Sequence, residues 1–359
     1  MTKEIAVPAL MLSVFLLAGA SSAQGASPGA VTLYGVIDIG MEYLNNAGRS
    51  GGGLLRMHSG GTSTSNIGFK GSEDLGGGMQ SFFQLESGFQ ADTGERSDPH
   101  SFFNRQANVG LSGAYGKVLA GRSESTTGDF SVNDPIMGNN YSWSGASTHM
   151  RGDRRDGTLG RISNLVKYEG SFGSYRIGGS YGLGEAAGSH TSDARYSAGL
   201  QYLGSSVTGV LTFDRENSNR IFPGYDRASN IQVSGSYAQP LVKFFAGYRR
   251  HAKHAATASK DLRSDFVWIG ASYPLSQATT VSAAIYHVDL RNDPRGNNGN
   301  PTMYAGRIRY AMSARTSLYL VGAYAVVKNS QPVAVSHSAR THAENGVQVG
   351  INMGVTHRF

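Results

Sequence analysis

The histidines are the first residues to weigh for chemistry. His251 and His254 are spaced to reach one metal, but they stand in Arg249-Arg250-His251-Ala252-Lys253-His254. The surrounding cations repel a metal ion, so an exposed basic loop is expected there and no metal site. His287 is the one mid-chain histidine on an apparent strand, and no patterned Ser stands beside it to begin a Ser–His–acid set. Gly182-Leu183-Gly184 does not extend to a dinucleotide fingerprint. Arg151-Gly152-Asp153 spells an adhesion tripeptide of a kind that arises by chance. Neither catalysis nor a cofactor is expected from these residues. What remains are charged and polar groups at alternate positions of apolar segments, such as Asp38, Asn66, Lys70 and Lys167. Fixed charges on a wetted face do not break bonds; they sort solutes by sign and size.

The elements that would carry such a face are strands. The chain has 359 residues, with 49 Gly, 18 Tyr, 15 Phe and no Cys, and only 16% are charged. Low charge with many aromatics is the opposite of a disordered composition. The absence of Cys rules out a disulfide scaffold and a Cys-based zinc fold. Past the first twenty residues no run approaches the 18 or so apolar residues of a membrane helix. The formal charge of +7 comes without a basic stripe interleaved with stacking aromatics, so no nucleic-acid partner is expected. Lys3, the largely apolar run Ile5 to Ala20 and the small residues of Ser21-Ser22-Ala23 read as a secretory signal peptide over 1–23. One domain is expected over 24–359.

That domain has a single rhythm. Val347, Val349, Ile351, Met353, Val355 and Phe359 alternate with Gln348, Gly350, Asn352, Gly354, Thr356 and Arg358. Leu33, Ile37, Ile39, Met41 and Tyr43 alternate with Thr32, Tyr34, Asp38, Gly40 and Glu42. One apolar face and one polar face with carboxylates suits lipid outside and water inside. The pattern predicts sixteen strands, near 31–46, 65–73, 78–91, 101–112, 116–124, 161–170, 174–184, 194–203, 206–215, 228–238, 241–250, 263–273, 279–290, 301–311, 316–328 and 345–359. The links alternate long (47–64, 92–100, 125–160) and short (Asp74 to Gly77, Gly113 to Tyr115, Ser171 to Gly173). Long loops on one rim, tight turns on the other and an even strand count describe an all-β, closed antiparallel transmembrane barrel with no free edge.

Particular residues then point to a family. Val31-Thr32-Leu33-Tyr34-Gly35 opens the barrel, followed by Ile67-Gly68-Phe69-Lys70-Gly71-Ser72-Glu73-Asp74-Leu75-Gly76 and Phe83-Gln84-Leu85-Glu86-Ser87-Gly88-Phe89. Phe103-Asn104-Arg105-Gln106-Ala107, Val109-Gly110-Leu111 and Gly121-Arg122 come next, and Thr356-His357-Arg358-Phe359 closes the chain. Over essentially its whole mature length the chain resembles the sixteen-stranded trimeric general porins of Gram-negative bacteria. The resemblance implies a homotrimer in the outer membrane, in contact with its lipid and lipopolysaccharide, that passes small hydrophilic solutes and ions. It also implies that the third loop, 125–160, folds into the pore, and that the outer-membrane assembly machinery reads the terminal Phe359.

It further implies a constriction where loop acids face wall arginines. Arg105 and Arg161 match two of the family's arginines and Glu86 a wall carboxylate. Asn66 stands where the family carries another arginine, and Val36 where some members hold a lysine. Lys70 and Lys167 would point inward, and Asp129 and Asp134 are the loop acids. The family's Pro-Glu-Phe-Gly turn is missing from the loop. A basic cluster of about two arginines predicts a wider or less anion-preferring pore than that of the basic-cluster relatives. Three function classes stand: a passive channel, a substrate-specific porin with a binding lumen, and an outer-membrane enzyme. The last would require a Ser–His–acid set that the sequence does not pattern.

Overall fold

Alternation becomes strand from Val31 onward in the computed structural model, which describes residues 31–48, 51–130, 133–138, 140–144, 160–218, 226–254, 261–292, 299–327, 333–336, 343 and 346–359. The expected signal peptide and the Arg151–Asp153 tripeptide lie outside the described residues. The strands are β1 (Val31–Ala47), β2 (Gly52–Ser59), β3 (Asn66–Gly76), β4 (Met79–Gly88), β5 (Gln106–Gly113), β6 (Gly116–Glu124), β7 (Arg161–Phe172), β8 (Tyr175–Gly182) and β9 (Arg195–Leu203). They continue as β10 (Val207–Asn217), β11 (Arg227–Ala238), β12 (Lys243–His254), β13 (Leu262–Pro274), β14 (Thr279–Arg291), β15 (Thr302–Ala311), β16 (Thr316–Val326) and β17 (Val347–Arg358). One short helix, α1 (Thr126–Phe130), follows β6.

Apart from β2 and β3, consecutive strands pair antiparallel, and β17 returns to β1, with Val36 opposite Arg358 and Leu44 opposite Gly350. β2 and β3 both lie against β1, the first opposite 39–47 and the second opposite 31–36. Seventeen segments therefore make a closed circuit of sixteen strands, the second broken at 60–65. Closure satisfies the backbone ladder without an edge, which a bilayer demands.

Two expectations about boundaries need correction. The first link is not a long loop: β1 runs to Ala47, and Gly52–Ser59 comes back as strand. Gly48 and Gly51 take positive φ there, which suits a tight reversal (φ 67° and 65°). The run of Gly51-Gly52-Gly53 masks a strand whose alternation, Leu55 and Met57 outward, begins only after it. The histidine segment is not a loop either. His251 and His254 lie on β12, three residues apart, and so face opposite sides of the sheet. His251 bonds Asn230 (2.9 Å) and His254 bonds Asp261 (2.7 Å).

Outward positions carry exposed apolar side chains, such as Leu33, Ile37 and Met41 on β1 and Ile351 and Met353 on β17. The inner face is not uniformly polar. On β13 to β16 it carries Phe266, Trp268, Tyr286, Val288, Met303 and Val321, all buried. Ile136, Tyr141 and Trp143 of the β6–β7 link join this cluster, as do Val333 and Val335 of the β16–β17 link. The barrel thus holds an apolar core against one inner wall and leaves polar side chains on the other.

Candidate functional site

The polar wall is built by β1 and β3 to β7, whose registers bring distant residues to one patch. Tyr34 lies opposite Gly68, and Gly68 opposite Glu86. The Tyr34 hydroxyl donates to Glu86 Oε2 (2.9 Å) and accepts from Gln84 Nε2 (2.7 Å). Lys70 Nζ sits 5.3 Å from the centre of the Tyr34 ring. Arg105, just before β5, places Nε on Glu86 Oε1. Its carbonyl accepts from Arg161 Nε (3.0 Å), and Arg161 in turn pairs with Glu124 Oε2 (3.2 Å). Arg122 donates to the Asn104 carbonyl and to Ser163 Oγ, both at 2.7 Å.

Three cations and two carboxylates thus share one patch: Lys70, Glu86, Arg105, Arg161 and Glu124, with the two arginines adjacent at its centre. Glu86 is buried, but Arg161 is 29% and Glu124 20% exposed, so the patch touches solvent while each guanidinium keeps a partner. Four of the expected wall residues (Lys70, Glu86, Arg105 and Arg161) meet here. Sequence reasoning missed Tyr34 and Glu124 as members. Tyr34 was legible on the polar face of β1, but Glu124 carried no comparable signal because the β6–β7 pairing slips near its end, between Gly121 and Ser123.

The other expected residues fall elsewhere. Lys167 is buried and bonds Asp129 Oδ2 of α1 (2.6 Å), Ser123 Oγ (3.0 Å) and the Glu124 carbonyl (3.0 Å). This wall lysine and this loop acid neutralise each other. Asp134 is buried too, accepting from the Tyr286 hydroxyl (2.8 Å), Ser142 Oγ (2.7 Å), the Ile136 amide (2.8 Å) and Ser144 Oγ. Trp268 Nε1 donates to the Asn133 carbonyl (2.9 Å) and Arg307 to that of Pro135 (2.6 Å). Asp129 and residues 133–135 are therefore tied to the inner faces of β7 and β13 to β15. Deeper in the link, the Tyr141 hydroxyl donates to Glu42 Oε1 (3.0 Å); burial and that carboxylate push its pKa well above the usual tyrosine range.

Asn66 is buried and donates to the Thr64 carbonyl (2.9 Å). Asp38 faces inward as expected but is wholly buried. Its Oδ1 accepts from the Gly61 amide (2.9 Å) and the Tyr319 hydroxyl (2.8 Å). Its Oδ2 accepts from Thr62 N and Oγ1, Ser63 N and Thr356 Oγ1 (2.6–3.2 Å). It organises the break between β2 and β3. Among the described residues no group of three acidic or histidine side chains could hold a metal.

Against known proteins, residues 6–331 match the model of the family described as Gram-negative porin. The "Outer membrane porin protein 32" of Delftia acidovorans is 28% identical over 98% of this chain and 99% of its own. The solved "Anion-selective porin from Comamonas acidovorans" superposes with a TM-score of 0.79 at 21% identity, covering 92% of this chain and all of that one. OmpT of Vibrio cholerae, solved in a trimer form, gives 0.72 at 14% identity over 92% and 99%. With the closed circuit of sixteen strands, its outward apolar belt and a family match spanning most of its length, the chain belongs to the Gram-negative porin family and is a β-barrel of the outer membrane.

Proposed function

We propose that the protein is a passive diffusion channel for small hydrophilic solutes and ions, with the patch around Arg105, Arg161 and Glu86 as one wall of its constriction. The observation that carries this reading is the charged patch of Lys70, Glu86, Arg105, Arg161 and Glu124 on one inner wall that reaches solvent. The opposing side is the β6–β7 link, folded into the barrel and narrowing it. The bonds from Asn133, Asp134 and Pro135 to inner-face side chains of β13 to β15 support that placement. With Lys167 and Asp129 spent on each other, the acidic side of the gap is weak. With each arginine beside a carboxylate, the basic side is compensated. The reading is a general channel with a mild anion preference. A substrate-specific pore would instead show conductance block that saturates with one solute.

Reversal potential in a KCl gradient tests the wall. Two unit charges in water at 4 Å interact by about 1 kcal/mol, roughly a fivefold change in local ion concentration. Arg105→Ala with Arg161→Ala also unmasks Glu86 and Glu124. Permeability is therefore expected to move several-fold toward cations at 0.1 M salt, where screening reaches only about 10 Å. An unchanged reversal potential would remove both arginines from the constriction.

We also propose a homotrimer packed through outward apolar strand faces, with the terminal Phe359 read during assembly. Phe359 exchanges backbone bonds with Gly35 (3.1 Å each way), and its ring lies where a Cβ on Gly35 would stand. Deleting Phe359 is expected to lower the yield of folded barrel in the outer membrane several-fold. Normal yield, measured by heat-dependent gel mobility of isolated membranes, would make the residue a rim anchor only.

A further inference from the structure

The inner face of β11 to β16 carries no carboxylate at an inward position. It does carry cations. Lys243 and Phe245 on β12 share the inward parity of Arg249, whose guanidinium reaches the Ser144 carbonyl of the β6–β7 link (3.0 Å). Arg307 and Arg309 on β15 share that of the buried Met303. Lys243 and Arg309 are exposed although they point inward, so they meet the water of the lumen. Among the described residues neither makes an ion pair. The acid that the link brings to this side, Asp134, is spent on Tyr286, Ser142 and Ser144.

The registers arrange these side chains in rungs. Lys243 lies opposite Ser272, Ser272 opposite Ser282 and Ser282 opposite Arg307, a row of cation, hydroxyl, hydroxyl and cation. Ser282 is buried and bonds Ser272 (2.8 Å), which stays partly exposed. Arg309 stands two residues nearer the turns, opposite Thr280. One inward rung nearer the link, Phe245 lies opposite Gly270. A Cβ on Gly270 would meet Pro135 (2.6 Å), so the proline ring takes that place beside the phenylalanine. Lys243 Nζ sits 5.2 Å from the centre of the Phe245 ring, and Arg307 donates to the Pro135 carbonyl.

An apolar rung thus overlies a cationic, hydroxyl-bearing one. Inward rungs are two residues apart, about 7 Å along a strand. A benzene ring with a carboxylate on it reaches from one to the other. The two rungs lie at the end bearing the short turns, which in outer-membrane barrels is the periplasmic end. They are separate from the patch on β3 to β7, where Arg105 and Arg161 already hold carboxylates.

We propose that this wall is a binding site for aromatic carboxylates. The carboxylate accepts from Ser272 Oγ between the charges of Lys243 and Arg309, as a charge-assisted bond. The ring packs edge-to-face on Phe245 and against Pro135. A small aliphatic dianion would meet the cations but leave the Phe245 and Pro135 surface wet. The inference rests on the reading of the barrel as a wet channel and names a class of solute that such a channel retains. Weak binding shared by a class lets solute leave again, so the channel stays general.

Ligand-observed NMR titration of the purified full-length barrel with benzoate, cyclohexanecarboxylate and acetate tests it, with KCl conductance in a planar bilayer recorded in parallel. Benzoate is expected to bind several-fold tighter than cyclohexanecarboxylate, the margin of a ring-on-ring contact, and acetate weakest of the three. Phe245→Leu should bring benzoate down to the affinity of cyclohexanecarboxylate. Lys243→Gln with Arg309→Gln should weaken benzoate about tenfold, the scale of one hydrogen bond to a charged group. Heat-dependent gel mobility shows that the variants are folded, and the ranking of the three ligands on the unmodified barrel stands without them. Benzoate bound no tighter than cyclohexanecarboxylate, or bound equally by the Lys243, Arg309 variant, would overturn the proposal. Channels in KCl with no preference for benzoate sink this site and keep the channel. Benzoate bound with that preference by a barrel that forms no channels keeps the site and sinks the channel.

Discussion

Asp38→Ala is expected to destabilise the barrel more than removal of any other lumen charge, lowering its unfolding temperature in detergent by many degrees. The carboxylate receives six hydrogen bonds, three of them from the backbone amides of Gly61, Thr62 and Ser63 in the break between β2 and β3. Hydroxyls such as Tyr319 and Thr356 can turn toward water, whereas the amides are fixed. An orphaned buried donor costs about 1–3 kcal/mol, so the loss is about 3 kcal/mol or more. Asp38→Asn keeps the shape but turns one acceptor into a donor facing donors, and should fall between the two. No cation pairs with Asp38 among the described residues, so this is hydrogen bonding and not ion pairing at work. Heat-dependent gel mobility measures the effect; equal unfolding temperatures for all three proteins would sink the idea.

Asp134→Ala is expected to spare the barrel and loosen the β6–β7 link, which we propose narrows it. Its carboxylate gathers Ser142, Ser144 and the Ile136 amide and ties them to Tyr286 on β14. Four donors lose their acceptor at once, again about 3 kcal/mol by the same accounting. The strand ladder is untouched, so the unfolding temperature should barely move. Single-channel records should show higher conductance, more current noise and weaker ion selectivity. Tyr286→Phe removes one of these bonds, about 1 kcal/mol, and should give the same changes in weaker form. A quiet channel of unchanged conductance in Asp134→Ala would place the link away from the ion path and end the reading of it as the narrowing element.

The expected strands 116–124, 161–170 and 279–290 coincide with β6, β7 and β14 to within two residues. Alternation of period two is a local property, and lipid outside makes it strict. It is obscured at Gly52–Ser59, where glycines hide the first rungs, and at His251–His254, where a run of charges resembles a loop. The arginines of the wall were legible by motif. What they touch was not, because Arg105 meets Glu86, and Arg161 meets Glu124, only through pairings of separate strands.

By itself, then, the sequence determined an outer-membrane barrel of sixteen strands, because a bilayer admits one closed solution for alternating strands without long apolar helices. The tertiary structure decided which inward charges remain available. Asp38, Asp134, Asp129 and Lys167 look alike as inward or loop charges in a linear reading, yet each is consumed in holding a break or a link. Arg105 and Arg161 stay at the solvent edge. A side chain's parity follows from its own neighbours along the chain; its partner follows from residues tens to hundreds of positions away, brought together by register and closure.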